Sequence, residues 1–128
     1  MTAPEITRAA VWEGSGGHSL MARVYGEDNA AILQADVTSI AYSIRAKHAL
    51  ATVVDSGSLT KTSVVFDTLQ TDARWTADAV GYNFRTTISA TQIPNPGVYR
   101  VEIEFTMSDA SILYLDPFEL TVNEIYMT

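Results

Sequence analysis

"IPNPGVYRVEIEFT", residues 93–106, decides the fold. Two prolines and a glycine reverse the chain. A run then follows in which Tyr99, Val101, Ile103 and Phe105 alternate with Arg100, Glu102, Glu104 and Thr106. A period of two puts one set on a buried face and the other in solvent, the pattern of a half-buried strand. Gly97 supplies the backbone freedom of the turn, and Tyr99 comes two residues later. In immunoglobulin-like sandwiches a tyrosine near the start of a late strand hydrogen-bonds to the backbone just upstream and pins the crossover between sheets. Tyr99 with Gly97 is expected to form such a corner, the alternative being a half-buried ring with its hydroxyl in water.

The same period recurs outward from this strand. Phe118, Leu120 and Val122 alternate with polar residues, as do Ile40, Tyr42 and Ile44, and Tyr82, Phe84, Thr86 and Ile88; Leu20, Ala22 and Val24 form a shorter case. Turn-forming clusters separate the runs: Gly14–Gly17, Gly26–Asn29, Asp55–Ser58, Asn95–Gly97 and Ser108–Ala110. Each holds the Gly, Asn, Asp, Ser or Pro that reverses a chain. Pro117 interrupts Ile112–Val122, which implies a bulge or an edge position. Residues 67–78 read as an ordered connection with Trp75 tucked against one end of the core.

About eight or nine short strands without interleaved helices predict an all-β, Ig-like β-sandwich of two antiparallel sheets. The expected divisions are an N-terminal arm or edge hairpin over 1–17, the sandwich over 18–123 and a C-terminal tail over 124–128. The length of 128 residues suits one domain.

Composition narrows function. The net charge is −7 and the eight Lys and Arg are scattered. Phosphate backbones and anionic membrane surfaces repel such a chain, so neither nucleic acid nor membrane is an expected partner. With no cysteine, thiolate chemistry and disulfides are excluded, which favours assembly in a reducing cytoplasm. No apolar run reaches the length of a membrane span, and MTAPEITR lacks the pattern of a secretory leader.

No catalytic, cofactor or metal residues are expected. His18 and His48 have no sequence-local partner at ligand spacing. Gly14–Gly17 lacks the Lys-Ser/Thr of a phosphate loop. Glu102 and Glu104 share a strand face, where they read as solvated carboxylates or as partners for an arginine of a neighbouring subunit. The two ends carry Ile6, Val11, Trp12, Ile125, Tyr126 and Met127, apolar enough to serve as an interface or to pair at the edges of their own sheets.

"ADVTSIAYSI" (35–44), "SLTKTSVVFDTLQTDARWTADAVGYNF" (58–84) and "IPNPGVYRVEIEFTMSDASILYLDPFELTV" (93–122) together resemble an Ig-like accessory domain of tailed-bacteriophage structural proteins. The order is similar to that of the N-terminal domain of upper baseplate proteins, over residues 18–123. That family carries glycine where this chain has Ala110, and it continues into receptor-binding modules, whereas this sequence runs to Thr128. The resemblance implies a non-enzymatic virion protein assembled in the host cytoplasm. The leading form is a capsid decoration (cement) protein, multi-copy or homo-oligomeric, bound to major capsid subunits. Alternatives are a tail, neck or baseplate component, or a carbohydrate-binding module with Trp75 and Tyr82 as a sugar platform.

Overall fold

Ten strands, one α-helical turn and two short 3-10 turns are the regular elements of a computed structural model, which describes residues 2–5, 8–12, 18–26, 29–71, 73, 75, 78–93, 95–115 and 117–123. The elements are β1 (Thr2–Glu5), β2 (Arg8–Trp12), β3 (His18–Val24), β4 (Val37–Ala46), β5 (Val53–Leu59), α1 (Lys61–Val64), β6 (Val65–Gln70), β7 (Tyr82–Ile88), β8 (Gly97–Met107), β9 (Ile112–Tyr114) and β10 (Phe118–Asn123). One sheet has the order β1-β3-β7-β6. The other runs β2-β10-β8-β4-β5, with β9 added to β8. The two sheets form the expected β-sandwich. In immunoglobulin terms they read A-B-E-D and G-F-C-C′.

Alternation places the core. Leu20, Ala22 and Val24 of β3 and Phe84 and Ile88 of β7 face Ile40 and Ile44 of β4, Val101, Ile103 and Phe105 of β8, and Phe118, Leu120 and Val122 of β10, all buried in one cluster. Each fully buried Ile or Phe contributes roughly 1.5–3 kcal/mol. Phe84 and Phe105 join the sheets edge to face, their centroids 5.6 Å apart. Antibody domains carry a cysteine two residues after the corner tyrosine. Here Val101 fills that place, fully buried, so apolar packing replaces a covalent staple.

Several local expectations need correction. The sheets are not wholly antiparallel, because β2 pairs with β10 in parallel. Within residues 1–17, β1 joins β3 in one sheet and β2 joins β10 in the other, which is the edge pairing that stood as the alternative to an interface. Asp55–Ser58 is not a turn but the middle of β5. The reversal lies earlier, where Ala49 N–H bonds to Ala46 O and Thr52 N–H to Ala49 O. Lys61–Val64 coil into one helical turn that buries Val64, with Lys61 Nζ on Val37 O at 2.6 Å. Residues 67–70, expected in a connection, complete β6.

Pro117 breaks the last strand in two. β9 and β10 both lie antiparallel to β8, opposite residues 104–106 and 97–101. Proline has no N–H to offer the ladder between them.

Candidate functional site

The two outer sheet faces differ, and the difference locates the site. On the β1-β3-β7-β6 sheet, Met21 points away from Leu20 and Ala22, as alternation requires. It packs with Trp75 and Tyr82 in a second apolar cluster, Phe66 alongside. Trp75, in the connection before β7, therefore lies over this face. Trp75 does not cap one end of the core, as its place in the sequence suggests; it roofs a sheet. Its indole Nε1 donates to Asp78 Oδ1 at 3.0 Å, and Asp78 Oδ2 meets Arg23 at 2.7 Å. The indole, the Gly81 and Val80 N–H groups and the Arg23 guanidinium hold the Asp78 carboxyl well below the usual range. Trp75 and Tyr82 are only 6% and 2% exposed. A sugar platform needs open rings, so these two cannot form one.

The outer face of the β2-β10-β8-β4-β5 sheet is open among the described residues. Register sets its rows: Ala41 of β4, Glu104 of β8 and Tyr114 of β9 stand side by side, and Ser43 lies opposite Glu102 in the next row. Ala41 and Ser43 are small, so the larger neighbours enclose a depression of about 220 Å³ lined by these residues and Arg45. Tyr114 is the most exposed large apolar side chain described, at 62%, with Ile112 at 48% two residues before it on the same face. A hydrogen bond to the Glu104 carboxylate raises the Tyr114 pKa. Arg45 is held by its own strand end, donating to Leu50 O at 2.7 Å and Ser43 Oγ at 3.2 Å. Arg100 reaches Glu102 at 3.3 Å, and Lys47 reaches Glu119 at 2.9 Å. Such exposed pairs contribute little stability.

Two of the four outer strands, β5 and β6, are blunted. Asp55 of β5 lies opposite Ile44, on the inward side, and a register shift separates Ile44 from Arg45. An inward charge and a bulge on an outermost strand discourage strand addition. On β6 the Gln34 side-chain amide covers Val65 O at 2.8 Å, and Asp67 accepts the Gln34 N–H at 2.7 Å. A further cleft of about 480 Å³ lies at one end of the sandwich, between Gly26, Ala30 and Ile32 on one side and the β8–β9 hairpin on the other. Its Asp109 is occupied by Ser111, whose hydroxyl and N–H lower the Asp109 pKa.

No family model matches the sequence, and no curated protein matches it. Among solved structures the chain is similar to CopC from Methylosinus trichosporium OB3b, at 14% identity and a TM-score of 0.46, over 100% of this chain and 97% of that one. The expectation of a bacteriophage virion protein bound to capsid subunits is corrected here: the likeness found is to CopC, and none of these comparisons leads to a phage particle. So distant a likeness carries nothing from CopC to this chain. Among the described residues no three His, Cys, Asp or Glu are grouped to hold a metal ion, and none of the helices is long and apolar enough to cross a membrane.

The residues singled out from sequence fall in different places. Tyr99 is buried, and its hydroxyl donates to Asn95 O at 2.7 Å. Gly97 has φ +145°, a conformation that side chains disfavour. Val11 and Trp12 lie on β2, opposite Val122 and Asn123. Ile6, Ile125, Tyr126, Met127 and the Gly14–Gly17 turn lie outside the described residues. His18 and His48 sit on different elements, β3 and the turn after β4. Sequence reasoning placed Glu102 and Glu104 on one face but missed Tyr114, because a three-residue strand is too short to display its period.

Proposed function

We propose that this chain is a non-catalytic binding domain that engages a protein partner through the open outer face of its larger sheet. The observation that carries the reading is the exposed Tyr114 beside Ile112, over a shallow depression, on a face that no other described element covers. Tyrosine and arginine are enriched at the centres of protein interfaces, and a rigid aromatic gives large contact area at small entropic cost. The opposite face is roofed by Trp75, and the outer strands β5 and β6 resist strand addition, which favours this face for a specific contact. The polar networks of Asp78 with Trp75 and Arg23, and of Asp55 with Tyr42 and Gln92, serve the fold.

The test is photo-cross-linking in the cells from which the protein comes, with a benzophenone side chain at position 114 and, as control, at exposed Val80. A discrete heavier adduct from 114 and none from 80 is the expected result. The same ladder from both positions, or no adduct from 114, overturns the reading. Loss of a measured hydrolytic activity in a Glu102→Gln/Glu104→Gln variant would overturn the non-catalytic part.

A further inference from the structure

We propose that the depression between β4, β8 and β9 is a subsite for an arginine or lysine side chain of a basic protein segment. This rests on the open face being the binding face.

The argument begins with register. β8 presents Glu102 and Glu104 on the outer face, and β4 presents Ser43 and Ala41 beside them. Small side chains on one strand and carboxylates on the next make a step rather than a flat surface. β9 then brings the Tyr114 ring against Glu104 from the other side. The result is a hollow with a small-residue floor, two carboxylates and an aromatic wall. The Glu104 carboxylate and the ring favour a cation. A carboxylate has about four acceptor positions, so Glu104 can accept N–H donors in addition to the Tyr114 hydroxyl. Charge-assisted bonds of this kind are among the stronger polar contacts. A tyrosine face attracts a guanidinium or ammonium held over it. Arg100 already pairs with Glu102 at 3.3 Å, so Glu104 is the carboxylate that an incoming cation meets.

Long-range charge selects the occupant. At net charge −7 a second copy of this chain is repelled, and a nucleic acid more so. A basic segment is drawn in. Arg45 also lines the hollow, held to Leu50 O and Ser43 Oγ at the Ser43 end, so an incoming cation is placed at the other end, against Glu104 and Tyr114. A planar guanidinium fits best, since it bonds two oxygens side by side while its face lies on the ring.

The experiment titrates the full chain, isotopically labelled, with acetyl-(Gly-Arg)₅-amide at low salt and follows backbone amide shifts. The control peptide replaces arginine with citrulline, which keeps the shape and removes the charge. The expected result is shifts confined to residues around 41–45, 102–105 and 112–115, with affinity at least roughly tenfold weaker for the citrulline peptide. Glu104→Gln should weaken arginine-peptide binding by roughly tenfold, and Tyr114→Ala by roughly threefold. Unchanged circular dichroism would show that both variants keep the fold. Equal binding of the two peptides, equal binding by Glu104→Gln and parent, or shifts that map to another surface overturns the subsite. A partner cross-linked from position 114 together with any of those outcomes leaves the binding face standing and removes only the cationic side chain from it.

Discussion

The Asp55 carboxylate, on the outermost strand of the larger sheet, accepts the Tyr42 hydroxyl at 2.7 Å and the Gln92 amide at 3.0 Å. The Tyr42 ring crosses the inner side of β5 at Gly57, where an added Cβ would come within 3.2 Å of it. The glycine is there because the ring needs the space. The same contact explains why a stretch with turn-like composition stays extended.

That network makes an acid-sensitive contribution. The Tyr42 hydroxyl, then the Gln92 amide, hold the Asp55 pKa below its ordinary value, and the carboxylate in turn raises that of Tyr42. A carboxyl with a lowered folded-state pKa stabilises fully above its unfolded value, near 4, and the benefit is lost as pH falls through the folded value. Tyr42→Phe should cost about 0.5–1 kcal/mol at neutral pH. It should also flatten the fall in stability below about pH 4. Urea midpoints for parent and variant from pH 7 down to pH 2.5 check both. A constant offset across that range would show that the hydroxyl does not couple to Asp55 ionisation.

Asn83 completes a ladder with its side chain. Its Oδ1 accepts the Val24 N–H at 2.7 Å and its Nδ2 donates to Val24 O at 2.9 Å, with the residue 1% exposed. Asn83→Ala strands the buried Val24 N–H, whereas Val24 O keeps the Ile32 N–H at 3.1 Å, at about 1–3 kcal/mol. Asn83→Leu should do no better, because filling the volume restores neither bond. Chemical denaturation of both variants measures this, and near-parental stability in either refutes the role.

Tyr99→Phe keeps the ring and removes the donor to Asn95 O. A loss of about 1 kcal/mol is expected, with an unchanged slope against denaturant. A parental midpoint would mean that the corner is held by ring packing alone.

Three positive-φ residues should respond differently to substitution. Ala110, at φ +71°, closes the β8–β9 hairpin in a conformation suited to glycine, so Ala110→Gly should stabilise by about 0.5–1 kcal/mol. Gly97 has open space around it and suffers only backbone strain as alanine, about 1–2 kcal/mol. At Gly81, φ +111°, a Cβ would lie 2.4 Å from Gln70 O. Gly81→Ala should therefore be the worst of the three, at about 3 kcal/mol or more. Thermal melts of the three variants give the order, and Gly97→Ala falling below Gly81→Ala would contradict it.

Alternation alone determined the class of this protein. Residues 99–106, 118–122 and 40–44 have one apolar face each, and burying such faces leaves only a layered β structure. The proline and glycine before Tyr99 set the corner, because their conformational limits are local. Tertiary structure decided everything that depends on a residue far along the chain. Asp55–Ser58 is a strand because β4 offers it a ladder and Tyr42 fills the space above Gly57. Residues 61–64 coil because Lys61 finds Val37 O. Trp75 roofs a sheet because Met21, some fifty residues earlier, faces outward there. The candidate site belongs to this second group. Ala41, Glu104 and Tyr114 have no pattern in common along the chain, and only the register of three strands brings a small residue, a carboxylate and a ring into one row.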